Sequence, residues 1–538
     1  MTSRRDFLRS LGMLALAGCA PRSGETLPPG ELLGMDFALG HRLRDGGFPE
    51  PSETRRIGIA IIGGGISGLS AAWRLGKAGF EDYLVLELEK EAGGNSRSGQ
   101  SPLVAYPWAA HYLPLPPPEA VWVRELLAET GVLISGKDAA KPIYDENFLC
   151  ATPQERVFKD GVWHEGLLPT SGVDTAERQQ QQAFHARMEE LKHARGKDGR
   201  KIFALPMQDS SADPEWLALD RITFKQWLLD NGFSAPTLHW LANYACRDDF
   251  GTRHDQTSAW AGLHYFACRS GEAQNAAPDH VLTAPDGNGW LTRALMRPCG
   301  ERLKTGIAVW RLREQKHAIE IDCWLAAEKR SLRLVADKAI WAAPAFLLPR
   351  VWGEAPAPLK AAARAGEYAP WIVANLHLSD FPKEGHGTPL AWDNVLYDSP
   401  GLGYVVATHQ LIRRQLPGTV LTYYRALTDQ HPVAWRLQLL ALSRESWVKA
   451  ILDDLSRPHA DIRSLVIRLD VFRYGHAMRR PVPGSLWGKE RRLLADFVSP
   501  RLTLAHADLS GFSIFEEAQY RGIVAAERLL DKKSGGKA

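Results

Sequence analysis

The chain is poor in cysteine, with six in 538 residues. No C-x-x-C occurs, and no His/Cys cluster has metal-ligand spacing, which excludes a zinc module and a dithiol centre of that type; no metal is expected. Beyond Cys19, Cys150, Cys246, Cys268, Cys299 and Cys323 are odd in number and read as buried free thiols, with a disulfide left open. Long apolar runs are missing too, so nothing reaches membrane-spanning length. Charge of one sign is scarce: the net charge is +3, without a basic tract, which argues against nucleic acid as a partner. No internal repeat is evident. What remains is 45% hydrophobic and 24% charged, an ordinary globular composition on a chain long enough for more than one domain.

The N-terminus stands apart. "TSRRDFLRSLGMLALAGCA" carries Arg4-Arg5, then Phe7-Leu8, then a short apolar stretch from Leu11 to Ala17. Such a stretch predicts a signal peptide over residues 1–18, and the paired arginines predict twin-arginine export, a route for proteins that fold around a cofactor first. "LAGC" resembles a lipoprotein signal, with Cys19 as the lipidated residue and a plain cleaved signal as the alternative. The expected location is periplasmic or extracytoplasmic, anchored to the membrane by that lipid. Residues 19–54, rich in Pro, Gly and charge, read as a tether.

Next comes "IAIIGGGISGLSAAWRL" (59–75). Ile57 to Ile62 predicts a buried strand and Ile66 to Ala78 a helix, with Gly63, Gly65 and Gly68 between and within them as G-x-G-x-x-G. The first glycine permits a tight turn, the second admits a pyrophosphate, and the third lets helix and strand pack; the helix N-terminus, with Ser67, offers amides to the anion. Tyr83 to Leu88 predicts a second strand ending near Glu87, where an acid would take ribose hydroxyls. Glycines alone are a weak signal. Strand, loop, helix, strand and acid in that order point to a dinucleotide.

"LELEKEAGGNSRSG" then places Gly93-Gly94 after Glu87, and "LTLAHADLSGFSIFEEAQYRGIVAAERLL" runs a strand into Asp508, a small-residue turn and a helix. Here the chain resembles the flavin-containing amine oxidase superfamily, with its protoporphyrinogen oxidases and phytoene-type desaturases. The resemblance implies FAD as cofactor. Gly93, Gly94 and Arg97 would lie by the pyrophosphate, Asp508 by the ribityl and phosphate part, Phe512 and Ser513 by the flavin ring through their backbone, and Val309 by the adenine. It also implies an α/β fold: a Rossmann-like FAD-binding domain with a parallel sheet, assembled from 55–115, 278–345 and 468–535, and a mixed α+β substrate domain from 116–277 and 346–467.

Signs of the substrate are fainter. The resemblance would put a Lys on "WIVANLHLSDF", which offers Ala374 or Asn375, and a framing Tyr where Ala477 stands. His476 falls where some relatives attach flavin covalently through Cys, so a histidyl link is one reading and packing or hydrogen bonding the other. His111 or Tyr112 could face the substrate or relay a proton, with packing beneath the flavin as the alternative. Helical spacing makes Trp260, His264, Tyr265 and Phe266 core residues. Three functions stay open: an oxidoreductase taking a hydride from an amine or other small organic substrate, with oxygen or a membrane carrier as acceptor; a desaturase or isomerase of a polyene or lipid; and an accessory flavoprotein without turnover. Lipidation and the missing Lys favour the second, since no amine-recognition group is evident.

Overall fold

The computed structural model describes residues 26–169, 172–412 and 416–534, so the arginine pair, the apolar stretch and Cys19 lie outside the described residues. Strand Glu53–Ile62 explains the first sheet. Its apolar run does not alternate with polar residues because both faces are covered: Ile59 and Ile61 enter one core, Ala60 and Ile62 another. On the first face lie helices Ile66–Lys77, Gly289–Met296 and Phe515–Ser534, through Leu69, Leu75, Leu291, Leu295 and Ile523.

Around that strand the sheet is parallel, through Tyr83–Leu86 and Leu303–Lys304 on one side and Arg330–Trp341 and Leu502–Leu504 on the other. The expected parallel sheet also carries an antiparallel part: Arg330–Trp341 continues into Ile319–Leu325 and Ile307–Glu314. The resulting seven-stranded sheet thus draws on all three expected sequence segments.

The second sheet has nine strands, with Tyr368–Leu378 third in order. Here residues do alternate. Ile372, Ala374 and Leu376 pack towards helices Pro432–Ala441 and Arg444–Leu455, while Trp371 and Val373 pack with Tyr424 and Tyr474. Helices Pro236–Phe250 and Ala259–Ala267 form a separate apolar cluster with Thr175–His193 and Phe224–Asp230, the last capped by the Thr223 hydroxyl, which accepts from Gln226 N at 3.1 Å.

Three expected boundaries are corrected. Val466–Arg479, placed from residue 468 in the nucleotide domain, instead pairs antiparallel with Tyr368–Leu378 in the second sheet. Leu348–Val351 and Ala357–Arg364, placed in the substrate domain, bury Leu348, Leu359 and Ala362 in the core of the first sheet. Residues 26–54 are no loose tether: Leu32–Gly34 adds in parallel to Val471–Arg473, and Phe37–Asp45 is a helix. The apolar residues Leu27, Leu32 and Leu33 pack onto the second sheet's clusters, outweighing the surrounding Pro and Gly. The five described cysteines are free and buried. Among the described residues no helix is long and apolar enough to cross a membrane.

Candidate cofactor and substrate site

A cavity of about 600 Å³ opens outside the carboxyl ends of the parallel strands, bordered by Ile62, Leu86 and Trp341. That is where ligands bind in open α/β sheets, and the volume suits a cofactor. Gly63, Gly65, Ser67, Glu87, Gly93, Gly94, Val309, Asp508, Phe512 and Ser513 line it, together with His111, Tyr112 and His476.

Gly63 has φ +108° and Gly93 φ +114°, backbone that side chains resist. A Cβ on Gly68 would collide with the Gly63 carbonyl, so Gly68 is the close-packing glycine, behind the cavity wall. A Cβ on Gly65 would meet no protein atom, although Gly65 borders the cavity. The protein's own packing therefore does not require glycine there. Gly65 is also the N-cap of helix Ile66–Lys77 and supplies no side-chain cap, which leaves first-turn amides for an anion. Glu87 accepts from Gly64 N at 2.6 Å and Glu89 N at 2.8 Å, which fixes its carboxylate at the strand end.

Arg97 is not on the cavity wall. Its guanidinium donates to Gly94 O at 3.1 Å and approaches Met35 Sδ at 3.0 Å, so it braces the Gly93-Gly94 turn from behind. The Phe512 ring is fully buried in a stack with His264, 4.8 Å between centroids at 11°, and Trp260, 6.0 Å away. His264 thus combines core packing with a place on the wall.

Asp508 is fully buried, and its Oδ2 accepts from Ala345 N at 2.8 Å and Tyr368 Oη at 2.6 Å, while Oδ1 lies 3.2 Å from His506 Nδ1. Burial pushes its pKa up, but His506, Arg479 and Tyr368 outweigh burial and hold it below the ordinary aspartate value. A depressed pKa stabilises the fold above the unfolded value and is lost only as pH falls through the folded one. Asp508→Asn is therefore expected to cost about 2–3 kcal/mol at pH 7, read from urea midpoints, with the deficit vanishing in strong acid. The open space at Gly65 and the free helix amides fit a phosphate-bearing dinucleotide.

At the other end the wall is aromatic and acidic. Trp371, Val373, Tyr424 and Tyr474 come from the second sheet. Of the two residues offered at the Lys position, Asn375 is buried between Pro107 O at 3.1 Å and Thr422 Oγ1 at 2.7 Å, and neither it nor Ala374 borders the cavity. Ala477 lies on the wall, and Tyr424 and Tyr474 supply the aromatic surface that Ala477 lacks. His111 contacts Tyr424 (5.1 Å) and Trp392 (5.6 Å) ring to ring, and its Nδ1 donates to Ala109 O at 2.9 Å, leaving Nε2 as an acceptor. Burial lowers its pKa to about 4, so it is neutral at pH 7. His476 stacks on Phe346 at 4.6 Å and is lowered to about 4 as well, by burial and then by Arg436 and His41.

The acids were missed in the sequence. Asp248, Asp249 and Glu516 line the cavity with Arg269 beside them; Arg436, Arg473 and Arg479 also lie on its wall. Arg269 is already committed: it donates to Asp249 Oδ1 at 2.8 Å and Tyr112 Oη at 2.9 Å and lies 4.0 Å over the Tyr265 ring. Burial, then neighbouring Asp249 and Asp393, raises Asp248 well above the ordinary range. Burial raises Glu516 to about 7, against Arg269 pulling down. The "RDDF" at residues 247–250 was the available cue, yet a charge pair near a helix end usually faces water.

A family model for the NAD(P)-binding Rossmann-like domain matches residues 61–130. No curated protein matches by sequence. Among solved structures, a putrescine oxidase bound to putrescine superposes with TM-score 0.64 at 16% identity, covering 89% of this chain and 100% of that one. Cyclohexylamine oxidase from Brevibacterium oxydans IH-35A gives 0.64 at 14%, over 89% and 99%. A CLA-producing fatty acid isomerase from P. acnes gives 0.60 at 16%, over 88% and 98%. The fold is therefore α/β with a Rossmann-like nucleotide-binding unit, shared with these proteins across almost the whole chain.

Proposed function

We propose that this chain is an FAD-dependent oxidoreductase acting on a small amine. One observation carries the choice of substrate: Asp248 and Glu516 line the cavity while the neighbouring Arg269 is taken by Asp249. An entering ammonium would draw these raised carboxyls into their ionised form and pair with them, whereas a fatty carboxylate would oppose that ionisation. Two structural neighbours are amine oxidases by name, which supports the same reading. This reverses the preference drawn from the missing Lys, because the amine-recognition group is acidic and comes from other elements.

FAD supplies the two-electron acceptor for the substrate's C–H hydride. The protein's part is the rest. Gly63, Gly65, Ser67, Gly93 and Gly94, with the amides of helix Ile66–Lys77, would hold the pyrophosphate, Glu87 the ribose, Val309 the adenine, and Asp508 the ribityl side. Tyr424, Trp371 and His111 wall the substrate and exclude water. Asp248 and Glu516 take the ammonium, and a carboxyl raised to about 7 is a better acceptor for the proton the amine must lose than an ordinary carboxylate. The electrons then pass to oxygen or a membrane carrier, which peroxide release distinguishes.

The test is spectral: the purified protein should carry flavin absorption released by acid precipitation, and primary amines should bleach it anaerobically. Colour left in the pellet would instead revive a covalent link at His476. Flavin that no amine reduces would leave the accessory reading. A pH dependence is also expected. Glu516 is ionised above about 7, so kcat/KM for a cationic amine should climb as pH rises through 7. Glu516→Gln should flatten that limb in steady-state profiles. Export by the twin-arginine route and lipidation of Cys19 complete the proposal; mass spectrometry of the mature N-terminus tests them.

A further inference from the structure

The stretch from Gly34 to Leu43 belongs to the cavity. Gly34, Met35, Phe37, His41 and Leu43 border it at the end where Glu87, Glu89 and Val309 lie. This stretch is pinned on both sides and weakly held between. Upstream, Leu32–Gly34 adds to the edge strand, with Val471 N donating to Glu31 O at 2.9 Å and Glu31 N to Asp470 Oδ1 at 2.8 Å. Downstream, Phe48 stacks on Trp310 at 5.5 Å and 12°, with Arg42 4.2 Å above the Phe48 ring. Between these anchors, helix Phe37–Asp45 buries only Leu39. Asp36 N donates to Glu89 Oε1 at 2.9 Å, which ties the middle to the residue two past Glu87.

We infer that residues 34–43 are a strap that closes over the nucleotide end of the cavity and retains the cofactor there. A segment with one buried apolar residue opens at low free energy, while the sheets beneath remain folded. Retention is then set by strap opening rather than by contacts to the phosphate alone. The inference rests on the reading that the cavity holds FAD.

Leu39 is the one buried residue of the helix between the anchors, so its substitution tests the strap. Flavin remaining with the full-length protein after timed dialysis is the readout. Leu39→Asp should speed release about tenfold with little change in the melting temperature of the flavin-free protein. Release at the wild-type rate from a folded Leu39→Asp variant would overturn the strap. A wild-type chain that takes up no flavin would overturn the cofactor reading and the strap with it.

Discussion

Asp248→Asn is expected to lower kcat/KM for a primary amine about 100-fold, with most of the loss in KM, while a neutral substrate of the same shape is affected less than about threefold. The substitution keeps the volume and removes the carboxylate that a bound ammonium would draw out. Removing one partner of a buried charge pair costs about 2–5 kcal/mol, and 1.4 kcal/mol is tenfold, so 100-fold sits at the lower part of that range. Asp248 is singled out because Arg269 answers Asp249 instead. It also stands in the last turn of helix Pro236–Phe250, whose carbonyl end disfavours another negative charge. Without a ligand, that position costs stability. A carboxyl raised in the fold stabilises below its pKa and loses that benefit as pH rises through it. The ligand-free variant should therefore lose less melting temperature on alkalinisation than the native protein. An unchanged kcat/KM for cationic amines would refute the proposed amine site.

The second large effect separates two glycines that a motif treats alike. Gly65→Val should abolish flavin binding, at least 100-fold in Kd, and leave the flavin-free protein's melting temperature within a few degrees. The side chain would enter open space and take room from the occupant. Gly68→Ala should act in reverse order, through the fold: one methyl group collides with the Gly63 carbonyl, where strand end and helix start leave no slack. Overpacking of this kind costs about 1–3 kcal/mol or more, with flavin lost as a consequence. Calorimetry of the apoproteins beside flavin titration distinguishes the two. If Gly65→Val bound flavin normally, the loop would not be the phosphate cradle.

The nucleotide half was legible because its physics is local. The apolar strand, the glycines and Glu87 lie within 35 residues, and each has a backbone reason to be where it is. Asp508 and Val309 were reached through the family resemblance. The substrate end was not legible, because it is assembled at long range: Tyr112, Asp249 and Arg269 meet across 157 residues. Their types carry no spacing rule, and nothing in the pair Asp248-Asp249 signals that it faces a cavity. Residues 26–54 were misread for a related reason. Their Pro and Gly suggested a tether, and the strand that gives Leu32 and Leu33 a place to pack lies 439 residues on.

That separation sets an order of events during synthesis. At roughly 5–20 residues per second, the ribosome completes strand Val466–Arg479 on the order of 20–90 s after it has made the strap. Until then residues 32–34 have no edge to join. Residues 32–34 are thus among the last described parts of the molecule to be secured, and their fastening coincides with completion of the second sheet.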